Sequence, residues 1–112
     1  MISISVLRQS GTYRELISSG HAEYDDSGYD IVCAAVSALL INTANSLDQL
    51  TEDDIVIDEG EEQGGYLRLA FPDTLSAQGS LLMDSLLLGL ESIAQTYGDD
   101  FLIITDQEEQ IR

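Results

Sequence analysis

The sequence predicts an α+β fold, a mixed sheet with two helices packed on one face. Three observations carry this. The chain opens with alternating apolar and polar residues, Ile2-Ser3-Ile4-Ser5-Val6, the pattern of a half-buried strand. Two longer segments repeat apolar residues at helical spacing, Ile31, Ala35, Leu39 and Leu82, Leu86, Leu90. These helical segments interrupt strand-like segments twice, giving the order β-β-α-β-β-α-β. At 112 residues the chain suits one domain, residues 1–112, with no linker or internal repeat.

Each element has its own signal. Gln9-Ser10-Gly11 is a turn. Thr12 to Ser19 reads as the second strand of a hairpin, with Tyr13, Glu15 and Ile17 on one face and Arg14, Leu16 and Ser18 on the other. Gly20 to Gly28 reads as a loop, acidic through Glu23, Asp25 and Asp26. Its terminal glycines suit either hinge motion or plain turn geometry. Asp30 is a favoured N-cap for the first helix, which is expected to fade over Asn42-Thr43-Ala44-Asn45-Ser46. Ile55-Val56-Ile57 is a short strand, and residues 59–65 form an acidic, glycine-containing turn. Tyr66 to Phe71 is a strand stopped by Pro72 and Asp73. The second helix spans Ser76 to Tyr97 and ends at Gly98. Its stripe is Leu82, Leu86, Leu90, Ile93 and Tyr97; Leu81 and Leu88 widen it, which fits a dimer surface or deeper burial. Phe101 to Thr105 is a last strand, and the polar tail from Asp106 is expected to fray.

The chain carries 21 acidic residues against four arginines and no lysine, a formal charge of −17. Such a surface repels nucleic acid and anionic membranes and attracts a basic partner. It also serves solubility alone. The start of the chain lacks the pattern of a signal peptide, and no segment reads as a membrane span. A soluble cytoplasmic protein is expected. The single cysteine allows no internal disulfide.

That cysteine, Cys33, and the single histidine, His21, lie twelve residues apart. A thiol and an imidazole are the nucleophile and base of a cysteine hydrolase. With Asp30 as N-cap, Cys33 falls in the first helical turn, where unpaired N–H groups favour thiolate over thiol and can donate to an oxyanion. Asp30 and Ser37 share the Cys33 face of the helix. Asp30 fits two roles, capping the helix or orienting His21, and Ser37 fits a hydrogen bond in the site or close packing. The pair alone does not settle catalysis, because a lone Cys on an apolar helix is usually a small buried hydrophobe. One Cys and one His make a poor metal site, and no phosphate-binding glycine loop is present, so no metal or cofactor is expected.

The segments Gly20-His21-Ala22 and Gly28-Tyr29-Asp30-Ile31-Val32-Cys33-Ala34-Ala35-Val36-Ser37 resemble the ribosomal-processing cysteine protease family, Prp, in order, identity and spacing. The element order fits that family along the whole chain. The resemblance implies His21 and Cys33 as a catalytic dyad, with Asp30 and Ser37 as supporting positions. It implies a homodimer and a substrate-responsive loop, here Ala22 to Tyr29, with Gly20 and Gly28 as hinges. It also implies a substrate: the N-terminal extension of large-subunit ribosomal protein twenty-seven, cut after a pair of phenylalanines. A strongly acidic enzyme would attract such a basic protein at long range, an effect that salt screens. The competing reading is a non-enzymatic acidic dimer that escorts a basic ribosomal protein.

Overall fold

The structure is a computed structural model. It describes residues 1–20, 27–60 and 65–109, with residues 27–30 described as backbone. His21, residues 22–26 of the acidic loop, residues 61–64 of the second acidic turn and residues 110–112 of the tail lie outside the described residues.

The elements are β1 (Ile2–Gln9), β2 (Thr12–Ser19), α1 (Ser27–Leu50), β3 (Val56–Asp58), β4 (Tyr66–Ala70), α2 (Ala77–Tyr97) and β5 (Leu102–Glu109). The expected order and class hold. The strands form one mixed sheet in the order β3-β4-β2-β1-β5, with β1 and β5 parallel and the other pairs antiparallel. Alternation along β1 turns Ile2, Ile4 and Val6 inward and leaves Ser3 and Ser5 in water. The inward residues join Leu16 and Leu69 from the sheet, Val32, Val36, Leu40 and Leu47 from α1, and Met83, Leu86 and Leu90 from α2 in one core. Both helices thus cover the same sheet face. On the open face Arg68 pairs with Glu15 at 2.6 Å.

Several local expectations are corrected. In β2, simple alternation fails because the register shifts where Leu7 pairs with Glu15 and Arg8 with Tyr13. Arg14 is the extra residue of a β-bulge, and its carbonyl accepts from the Phe71 N–H at 2.9 Å. The bulge resets the alternation, so Tyr13 joins Leu16 and Ser18 on the buried side.

Helix α1 starts at Ser27 and continues past Asn42–Ser46 to Leu50. Asp30 is therefore a helical residue in the first turn rather than the N-cap. Gly28 is helical too, not the far end of a loop, and a glycine this close to a helix end costs little. The helix persists because its core stripe does: Thr43, Ala44 and Leu47 are all buried.

The stretch Ile31–Leu50 also has the length and hydropathy to cross a membrane, contrary to the expectation that none does. Here its apolar stripe Val32, Val36, Leu40 and Leu47 is spent on the core.

The expected frayed tail is strand through Glu109, paired residue by residue with β1. The physical reason is charge compensation. The Arg8 guanidinium donates to both Asp106 carboxylate oxygens at 2.9 and 3.0 Å, and the Gly11 N–H donates to Glu108 Oε1 at 2.9 Å.

Helix α2 follows its sequence signals. Ser76 caps it, the Ser76 hydroxyl accepting from the Gly79 N–H at 3.0 Å, and the Gly98 N–H closes it on the Ala94 carbonyl at 2.8 Å. Asp53 fixes the cap by accepting from the Ser76 N–H and, at 2.8 Å, from its hydroxyl.

Candidate active site

The inward stripe of α1 decides what the helix offers to solvent beside it. Val32, Val36 and Leu40 point to the core at four-residue spacing. The next residue after each is rotated about 100° around the axis. Cys33, Ser37 and Ile41 therefore form a second stripe along the border of the core, and all three line a cleft of about 520 Å³.

The other walls come from distant parts of the chain. Ile2 opens β1, Ser18 lies at the end of β2 and Gly20 just follows it, Tyr66 and Leu67 begin β4, and Glu59, Gly60 and Gly65 belong to the β3–β4 connection. Cys33 is half-buried and Ser37 is exposed. The cleft is thus an apolar trough, made by Ile2, Val36, Leu40, Ile41 and Leu67, with a thiol and hydroxyls along it. This arrangement suits an extended peptide whose apolar side chains enter the trough while a carbonyl meets the thiol.

Gly20 fixes the β2 corner of this cleft. Its φ is +96°, a value that favours glycine. A side chain there would overlap the Met1 carbonyl oxygen, and its N–H donates to the Gly65 carbonyl at 2.9 Å. The glycine expected to serve as a hinge is thus held through its amide to Gly65.

The structure brings Cys33, Ser37 and Gly20 to one cleft. Asp30, three residues before Cys33, shares its helix face by geometry. His21 follows Gly20 directly in the chain and lies outside the described residues. The expected first-turn position of Cys33 is corrected, because it is the seventh residue of α1. Its N–H falls beyond the four that lack helical acceptors, and the macrodipole fades within the first turn. Helix-end donors therefore do not form an oxyanion site at Cys33.

Sequence reasoning missed Ile41, Tyr66 and Glu59 as cleft residues. Ile41 had a signal, the four-residue step from Ser37. Tyr66 and Glu59 had none, since their approach to α1 depends on the sheet. Among the described residues, no grouping of three or more His, Cys, Asp or Glu has the geometry to hold a metal ion.

Residues 1–101 match the family model described as cysteine protease Prp. A Staphylococcus aureus protein named ribosomal processing cysteine protease Prp is 30% identical over 103 residues, covering 89% of this chain and 94% of its own. A Bacillus subtilis protein of the same name is 32% identical over 92 residues, covering 79% of this chain and 81% of its own. The crystal structure of the S. aureus protease with a covalently linked product peptide superimposes with a TM-score of 0.85 at 27% identity, covering 96% of this chain and 100% of that one. The Gly-His-Ala and Asp-Ile-Val-Cys-Ala segments lie within the matched residues, and the fold and the cysteine cleft agree with the same assignment: the chain belongs to the cysteine protease Prp family.

Proposed function

We propose that this protease removes the N-terminal extension of a large-subunit ribosomal protein, protein twenty-seven, with Cys33 as nucleophile and His21 as general base and acid. The observation that carries the reading is Cys33 lining an apolar cleft beside Gly20, the residue preceding His21. His21 takes the thiol proton as Cys33 Sγ attacks the scissile carbonyl carbon. The tetrahedral intermediate collapses, the C–N bond breaks, and His21 gives its proton to the leaving amine. Water then attacks the thioester, with His21 again as base, and releases the acyl product and the thiol.

Asp30 and Ser37 are the supporting positions of this reading. A carboxylate one turn before the thiol can orient an imidazole, and Ser37 Oγ, one turn after it, can hydrogen-bond the bound peptide backbone. The relatives named ribosomal processing proteases support the substrate class. The apolar trough suits the pair of phenylalanines before the cleavage point. The charge of −17 suits a basic ribosomal substrate, processed in the cytoplasm by a homodimer.

The test is cleavage of a peptide spanning the end of the extension, read by mass spectrometry. Cys33→Ala and His21→Ala are each expected to lower kcat by at least about a thousandfold while the fold stays intact by circular dichroism. Full activity in either variant overturns the dyad. A wild-type enzyme that leaves the peptide whole overturns the substrate.

A further inference from the structure

One cleft residue has no part in the chemistry proposed above. Among the described residues lining the cleft, Glu59 is the charged side chain, and it is exposed. The backbone beside it turns back on itself, since the Gly60 N–H donates to Asp58 Oδ1 at 2.8 Å, and a Cβ built on Gly60 would meet the Tyr66 ring at 3.1 Å. The chain offers Glu59 no cation among the described residues. Arg8 is bound to Asp106 and Arg68 to Glu15, and Arg14 reaches the Pro72 carbonyl.

A carboxylate with no cation partner among the described residues, beside a largely apolar trough, favours a cation on whatever peptide lies there. Resting on the reading of the cleft as the peptide site, we propose that Glu59 is a specificity-determining residue, selecting peptides that place a Lys or Arg side chain at the β3–β4 end of the cleft. The apolar trough then takes the hydrophobic residues and Glu59 sets the register of a basic residue relative to them. The contribution is that of an exposed ion pair, about threefold to fivefold in kcat/KM.

The experiment compares peptides carrying the two phenylalanines, with Lys or Gln at successive positions on either side of the scissile bond. The readout is the Lys-to-Gln ratio of kcat/KM. Wild type is expected to prefer Lys about threefold to fivefold at one or two positions. Glu59→Gln is expected to bring that ratio to about one, and Glu59→Lys to favour Glu over Gln at the same positions. Glu91→Gln, an exposed charge on α2 away from the cleft, controls for the overall field and keeps the wild-type ratio. A purely structural role for Glu59 lowers both peptides equally and leaves the ratio unchanged, which overturns the proposal. So does an equal loss of preference in Glu91→Gln. Wild-type cleavage of none of the peptides overturns the reading of the cleft itself, and the role of Glu59 with it.

Discussion

Replacing Gly20 by Ala tests whether the cleft corner is as rigid as its contacts require. Gly98 supplies a matched control, because the two φ values are +96° and +97°. Forcing a non-glycine residue into that region costs about 1–3 kcal/mol at either site. The surroundings differ. Nothing lies within 4 Å of a Cβ built on Gly98, whereas one built on Gly20 overlaps the Met1 carbonyl oxygen, with the Met1 carbonyl carbon at 3.2 Å and Ile2 Cα at 3.4 Å. These are backbone atoms. Ile2 is buried, and its N–H donates to the Phe101 carbonyl at 2.9 Å, so Met1 moves only by disturbing the β1–β5 edge. Overpacking of this kind adds about 1–3 kcal/mol. Urea unfolding is therefore expected to place Gly20→Ala about 2 kcal/mol below Gly98→Ala, outside the error of the method. Gly20 lines the cleft and precedes His21. Its variant is also expected to lose more peptide cleavage than Gly98→Ala under conditions where both are folded. Equal destabilisation of the two variants refutes the anchored corner and restores Gly20 as a loose joint.

Three further outcomes are expected. Tyr13 is pushed up to about 12 by burial, reinforced by its hydrogen bond to the Asp84 carboxylate and opposed by Arg8. Its stabilising effect is complete below pH 10 and is lost as pH rises toward 12; urea titrations are expected to show a loss of about 1–2 kcal/mol across that window in wild type and none of it in Tyr13→Phe. Leu81 and Leu88, one face of α2 and each 67% exposed, are the expected contact of the proposed homodimer. The double variant Leu81→Glu, Leu88→Glu is expected to sediment as a folded monomer where wild type sediments as a dimer, and an intact dimer moves the contact elsewhere. Leu47→Ala, in the part of α1 beyond the expected break, is expected to cost about 2–5 kcal/mol by denaturation, against less than about 1 kcal/mol for a frayed end.

What the sequence reveals here divides by the distance over which the deciding interaction acts. The caps of α2 are local: Ser76 bonds the N–H three residues on, and Gly98 bonds a carbonyl four residues back, so both ends were legible. The far end of α1 was not, because Leu47 is buried in the same core cluster as residues of the sheet and α2, which overrides the polar run Asn42–Ser46. The acidic extension of β5 from Asp106 to Glu109 was illegible for the same reason, since its compensating Arg8 is 98 residues away. The bulge at Arg14 takes its hydrogen bond from Phe71 across the sheet. The site obeys the same rule. Cys33 and Ser37 are one helical turn apart, and their shared exposure follows from the stripe beside them. Glu59 and Tyr66 reach the thiol side only because β4 pairs with β2, which runs into Gly20. In the proposed mechanism the chemistry is therefore carried by short-range spacing, and the proposed selectivity by walls that the sheet assembles. A relative could keep the Gly-His-Ala and Asp-Ile-Val-Cys-Ala segments unchanged and still prefer a different peptide, through a change in the β3–β4 connection alone.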